Sequence, residues 1–511
     1  MKKIYKYTLI GLTLALSFSS CTESNLTTQP TDSMSGQTLL STATNALVPL
    51  NGIYRSMYEP GWSTTGNVHQ CFGITAYNLM AEVMGDDFIM GASGSGWFWF
   101  DAIYKVKSRY NLSSWRSYDL WNAYYTWISN SNYILSAEET MTGTTAEKNY
   151  VIGQAYAIRA YSYFMLEQCF ARTLVGHENE KGVPIYKKPT FTTTTGQPRA
   201  TNAEVYVQID NDINKAVELL KGTKQQHKSH ISYAVAQGIK ARIALVKENW
   251  AEAAASAIEA INDSKCPILE VKDMKGMNDV SKSNVMWGAE IIADQSAQLA
   301  SFMAHMDTVV GYGKSAPKRI AGTLYRQMGK NDARRAWWDP ACKYSDANGY
   351  HQEKFMFSNP ATWLGDYLWM RVEEMYLIAA EAYAHAGNDA EAQKYLQALM
   401  SKRDPDFNAT KYTGNSLSKL TSESTGSLLD KIILERRIEL WGEAGRVWDI
   451  RRLHQGFRRT AEMGWPSPTL LSNRPTDNTE NYMWVLTIPQ AEFDGNINMD
   501  SKVDQNPVGD L

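Results

Sequence analysis

The chain has 511 residues, and its 51 lysines and arginines nearly balance 54 aspartates and glutamates, for a formal charge of −3. That balance supplies no basic footprint for nucleic acid or for an anionic lipid surface. The length is enough for one elaborate domain or for two to three ordinary ones.

At the start, Lys2, Lys3 and Lys6 precede Thr8 to Phe18, an apolar run of about 11 residues that suits a signal-peptide core and is too short to span a bilayer. Ser19 and Ser20 then lead into Cys21. This order resembles a bacterial lipoprotein signal, in which the cysteine is lipidated and becomes the mature N-terminus. Residues 1–20 are expected to be a removable leader. Each buried CH₂ of an acyl chain contributes roughly 0.8 kcal/mol, so two or three chains anchor a protein without a spanning helix. Residues 21–38 carry this cysteine and a Ser/Thr/Gln-rich stretch without periodicity, which reads as a flexible tether.

Residues 39–511 read as one domain in which helical periodicity dominates. Leu40 to Met57 has helical spacing, with Pro49 near its start or at a kink. Helical hairpins are expected over about 118–170, 203–262 and 370–453, with loop-rich insertions over about 58–115 and 267–369. Two turns repeat one pattern: Asn249-Trp250-Ala251-Glu252-Ala253 and Asn388-Asp389-Ala390-Glu391-Ala392. Each follows a helix of small apolar residues and precedes further alanines and then a proline, Pro267 or Pro405. These features predict irregular tetratricopeptide-like hairpins. The fold class is therefore mainly α, with the hairpins scaffolding a loop-rich, aromatic-rich ligand-binding subdomain.

Reactive motifs are scarce. Cys71, Cys169, Cys266 and Cys342 are widely spaced and make neither a disulfide framework nor a C-x-x-C pair, so buried thiols or one bridge are expected. The eight histidines are scattered, and His227 and His230 fall in a polar turn. No zinc spacing, phosphate loop or nucleophile elbow is present, and Gly91 to Gly96 fits neither loop motif. No metal, cofactor or catalytic residue is expected.

Arg371-Val372-Glu373-Glu374-Met375-Tyr376-Leu377-Ile378-Ala379-Ala380-Glu381-Ala382 resembles a helix of the SusD/RagB-like lipoproteins, surface glycan-binding partners of TonB-dependent transporters in Bacteroidetes. Glu435-Arg436-Arg437-Ile438-Glu439-Leu440-Trp441-Gly442-Glu443 resembles a second stretch of that family, and Arg446 with Asp449-Ile450-Arg451-Arg452 continues it. Ile488-Pro489, Glu492, Asn496 and Gln505-Asn506-Pro507 resemble its C-terminus, and Ala46 to Tyr58 and Ala155 to Phe164 match elsewhere. The family commonly has glycine directly after the glutamate at Glu443, where this chain has Ala444 and then Gly445. The alternating charges of Glu435 to Arg452 read as ion pairs that dock helices, not as an acid–base pair.

Carbohydrate recognition needs flat aromatic faces for C–H patches and side chains that hydrogen-bond hydroxyls, without a nucleophile. The chain has 16 Trp and 28 Tyr against 14 Phe, a composition that suits half-wet surfaces. On the resemblance, the early segment supplies acidic and Trp residues, which gives Asp86, Asp87, Trp97 and Trp99 as candidates around a Gly/Ser loop. If Trp97 and Trp99 lie on a short strand, their period of two would instead turn both inward. The middle insertion offers Tyr312, Trp338 and Trp363, while Trp121, Trp127 and Trp250 fall in helical pattern and read as core. The resemblance implies a non-catalytic outer-membrane, cell-surface lipoprotein. It would capture oligosaccharide or polysaccharide and pass it to a SusC-like TonB-dependent transporter. A helical glycoside hydrolase and a helical protein-interaction scaffold are the competing readings.

Overall fold

The computed structural model describes residues 36–62, 68–90, 97–105, 113–339, 349–471, 476–477 and 481–507. The leader, Cys21, most of the tether, the Gly91–Gly96 loop and Cys342 lie outside the described residues.

Helices dominate the fold. After α1 (Ala43–Ser56) and α2 (Ile74–Val83) come α3 (Trp115–Leu135), α4 (Thr145–Phe170), α5 (Asn202–Leu220), α6 (Tyr233–Val246) and α7 (Trp250–Ser264). Then follow α8 (Val372–His385), α9 (Asp389–Met400), α10 (Leu428–Glu439) and α11 (Arg446–Arg452). From α3 to α9 each helix packs on the next, so α7 meets α8 although the whole middle insertion separates them in sequence. The hairpin array is thus continuous in space and interrupted only along the chain.

Local chemistry explains the helix starts. Thr144 accepts from the Glu147 amide at 3.3 Å, and the Glu147 carboxylate accepts from the Thr144 amide at 2.8 Å. Thr201 and Glu204 repeat this reciprocal cap at the start of α5. Asn249 and Asn388 cap α7 and α9 with nearly the same backbone, φ −85° and −97°, each accepting from the amide three residues on. The repeated turn read from the sequence is therefore one structural unit used twice. Ala241 and Ala244 on α6, Ala253 and Ala257 on α7, and Ala379 and Ala382 on α8 are all fully buried. Their small size lets the three helices approach closely. Pro49 lies within α1, where its missing N–H leaves the turn before it one bond short.

The two insertions meet in an antiparallel sheet of order β1-β5-β7-β6, with β1 Phe88–Met90, β5 Lys318–Ala321, β6 Trp338–Asp339 and β7 Gly349–Gln352. Phe88 pairs with Ile320 and Met90 with Lys318, so the early insertion is sewn to the middle one. Trp97, downstream of β1, and Tyr312, upstream of β5, come together beside this pairing. One pair, β2 (Lys181–Pro184) with β3 (Arg199–Thr201), leads into α5, and another, β4 (Val285–Ala289) with β8 (Tyr367–Arg371), ties the middle insertion to the array. Gly238 of α6 faces it closely, since a Cβ there would meet Met370 Sδ at 2.4 Å. Among the described residues Cys71 and Cys266 are free thiols, and Cys169 is buried. No helix among the described residues is long and apolar enough to cross a membrane.

Candidate functional site

Three half-buried rings from the two insertions meet in one cluster. Trp97 follows β1, Tyr312 lies in the short helix Gly311–Ser315 just before β5, and His69 precedes α2. The His69 and Trp97 rings stack at 5.3 Å and 12°. Tyr312 stands edge-on to both, 5.3 Å from Trp97 and 5.7 Å from His69. Its hydroxyl lies 2.8 Å from His69 Nδ1. Burial raises the Tyr312 pKa, so the phenol keeps its proton.

A buried ring fixes this cluster. His305 Nε2 donates to the His69 carbonyl at 2.6 Å, and its ring lies between Phe72 and Phe98 at 5.4 and 5.1 Å. Burial first, and then the Lys318 charge, lower its pKa well below the ordinary imidazole value, so His305 is neutral. The arrangement offers an indole and imidazole slab, a phenol wall and hydroxyl-binding groups. It suits a sugar ring, whose C–H face and hydroxyl edge need those two surfaces.

Trp97 and Tyr312 are the two sequence candidates that the structure brings together. Trp99 is turned away: Phe98 adopts a left-handed backbone, φ +70°, and Trp99 begins a short helix, Trp99–Ala102, with 6% of its surface exposed. The alternative of a period-two strand does not hold there, because one left-handed residue separates the two indoles. Trp338 is also sealed, at 2% exposure, with Trp441 edge-on at 5.7 Å and Trp337 at 5.9 Å. Trp363 is half-buried with φ +57°, but its ring contacts Phe357 at 5.5 Å and stands apart from the trio.

Asp86 and Asp87, candidate ligand contacts on the resemblance, are buried away from any ligand surface. Each is 1% exposed and belongs to a buried ion-pair cluster. Arg446 Nε lies 2.9 Å from both carboxylates, and Arg437 pairs with Asp87 at 2.7 Å. Thr421 donates to Asp86. Burial alone would raise the Asp86 pKa, but the charges of Arg446 and Arg437 outweigh it and lower it to about 2. The carboxylates that looked like sugar acceptors instead anchor the early insertion to α10 and α11.

The same holds along the charged stretch. Glu439 meets Arg403 at 2.8 Å and Arg371 at 3.3 Å, and Glu443 meets Arg371 at 2.7 Å and Lys354 at 2.6 Å. Arg436 pairs with Asp449 at 2.8 Å, and Arg452 with Glu381 and Asp449. Burial opposes ionisation of Glu439, and Arg403, Arg371 and Arg334 overcome it, holding its carboxyl far below the usual range. These residues dock helices, as their spacing predicts. Gly445 fits this packing with φ +77°: a Cβ would meet the Trp448 ring at 2.4 Å, and its amide donates to Glu82 at 2.8 Å.

His69 and His305 escaped sequence reasoning. Neither sits in a motif, and only the β1–β5 pairing brings them to Trp97 and Tyr312.

Comparison with known proteins agrees with this architecture. A SusD-like family model described as "Starch-binding associating with outer membrane" matches residues 76–245, and the SusD/RagB model, described as "SusD family", matches residues 316–508. SusD-like protein P2 of Formosa agariphila is 24% identical, over 98% of this chain and 99% of its own. A SusD-like carbohydrate binding protein from Bacteroides vulgatus superposes with a TM-score of 0.75 at 23% identity, over 92% of this chain and 100% of that one. Surface glycan-binding protein A from Bacteroides thetaiotaomicron, solved with laminarihexaose, gives a TM-score of 0.64 at 17% identity, over 91% of this chain and 99% of that one. With both models matching, a relative aligned end to end and the same fold in solved relatives, the chain belongs to the SusD/RagB-like family.

Proposed function

We propose that this protein is a non-catalytic, cell-surface glycan-binding lipoprotein that captures oligosaccharides and delivers them to a SusC-like TonB-dependent outer-membrane transporter. Residues 1–20 are removed, Cys21 carries the acyl anchor, residues 21–38 form the tether and 39–511 the binding domain. The observation that carries the reading is the half-buried His69–Trp97–Tyr312 ring cluster with its hydrogen bond, which we read as a sugar-binding recess. The family model described for starch binding and the structural neighbour solved with laminarihexaose suggest the ligand class. Delivery requires release, so affinities in the micromolar to millimolar range, roughly −8 to −4 kcal/mol, fit the task.

Isothermal titration of the mature protein with gluco-, xylo- and manno-oligosaccharides tests binding. Mass spectrometry of the same mixtures tests catalysis. Binding heat with intact oligosaccharides is expected, whereas shorter products would establish the hydrolase reading instead.

A further inference from the structure

A cleft of about 510 Å³ opens between residues 118–130 of α3, residues 186–196 and residues 491–496. That volume falls in the range of small-ligand sites. The cleft shares no lining residue with the His69–Trp97–Tyr312 recess.

Glu492 lies in its wall. Trp121 Nε1 donates to one carboxylate oxygen at 3.0 Å, and Asn496 Nδ2 donates to the other at 2.7 Å. Among the described residues no cation pairs with this carboxylate. Each oxygen therefore keeps an acceptor position. The Tyr186 hydroxyl, which also lines the cleft, accepts from the Gln197 amide at 3.0 Å and retains its own proton to donate. Its ring stands edge-on to Tyr125 at 5.9 Å.

Phe191 forms a lip and is 63% exposed. A lone exposed phenylalanine is ordinary. This one is held in place, because its amide donates to Thr194 Oγ1 at 2.8 Å and its ring meets Tyr133 edge-on at 5.8 Å. The cleft thus joins an exposed flat ring, a fixed acceptor carboxylate and a phenol donor.

We propose that this cleft is a second saccharide-binding site, which takes a short neutral oligosaccharide independently of the recess. The C–H face of a sugar ring stacks on Phe191, its hydroxyls donate to Glu492, and Tyr186 donates to a ring hydroxyl. This rests on the glycan-binding reading above and extends it to two contact points on one long chain, which raises apparent affinity without new chemistry.

Isothermal titration with laminarihexaose, maltohexaose and xylohexaose, on the mature protein and three variants, tests it. Trp97→Ala/Tyr312→Ala removes the recess, Phe191→Ala/Glu492→Gln removes the cleft, and the third variant combines them. Thermal denaturation checks each fold, and Phe191→Ala alone, at an exposed ring, guards against a loss caused by the Glu492 change. The recess variant is expected to retain binding of at least one hexaose, and the cleft substitutions to weaken that residual binding by about tenfold or more, the equivalent of about 1.4 kcal/mol. Loss of all binding in the recess variant, or residual binding that the cleft substitutions leave unchanged, overturns the second site alone. Absence of binding in the unsubstituted protein overturns both readings. Saturation of the cleft by tetramethylammonium, with no hexaose competing, would make it a cation site and likewise overturn the proposal.

Discussion

Asp87 takes a bidentate grip from Arg437, at 2.8 Å from Nε and 2.7 Å from Nη2, across 350 residues of chain. The pair is almost sealed from water. A carboxylate that the sequence offered as a sugar acceptor and an arginine of a family motif are therefore one structural clamp.

Asp87→Asn should strand the buried Arg437 charge. Breaking one side of a buried pair costs about 3–5 kcal/mol. Thermal or urea denaturation should show that loss, while oligosaccharide affinity of the folded fraction stays within about twofold. Normal stability with lost affinity would return Asp87 to the ligand site.

Trp97→Ala should act in the opposite way. Its ring is half-buried, so the melting temperature should change little, whereas loss of a central aromatic contact weakens binding by about 2 kcal/mol, roughly thirtyfold. Titration calorimetry beside differential scanning fluorimetry separates the two effects.

The Tyr312 hydroxyl and His69 should act as a unit. Tyr312→Phe removes a hydrogen bond with a net contribution of about 0.5–1.5 kcal/mol, and His69→Ala removes the same bond with a stacked ring. In a double-mutant cycle read by binding affinity, the two losses should sum to more than the double variant shows. Strict additivity would mean that the hydrogen bond does not position the wall.

Burial lifts the Glu82 carboxyl to about 8, and the amides of Gly445 and Gly442 with the Lys354 charge only partly oppose it. An unfolded glutamate titrates near 4.5. Between those values the folded protein holds a proton that the unfolded chain gives up, so this group lowers stability as pH rises. Its contribution approaches about 1.4 kcal/mol per pH unit within that window. Glu82→Gln should flatten the decline of melting temperature between pH 5 and pH 8. The ion-paired Glu439 and Glu443 act below it, since their lowered pKa values give stability that is present above about 4.5 and lost on further acidification. A variant whose profile parallels the parent between pH 5 and pH 8 would contradict the buried, protonated Glu82.

Features set by neighbouring residues were legible in the sequence. Asn249 and Asn388 announced their helix starts because an N-cap and its partner lie three residues apart. The charges of Glu435 to Arg452 announced helix docking because their spacing places them on adjoining faces. Features set by distant pairing were not legible. Trp97 and Trp99 looked equivalent until the left-handed Phe98 separated them. Trp338 reads as a ligand candidate in the middle insertion, yet β6 carries it against Trp441. His69 has no local signal, since its role depends on Phe88 meeting Ile320 across the sheet.

Affinity electrophoresis through gels containing laminarin, starch, xylan or mannan tests the proposed glycan-binding role of the His69–Trp97–Tyr312 cluster most directly, with the parent and Trp97→Ala/Tyr312→Ala run side by side. The parent is expected to be retarded in at least one gel, and the double variant to lose most of that retardation while melting at the parent's temperature. Equal retardation of both proteins, or free migration of the parent in every gel, would contradict it.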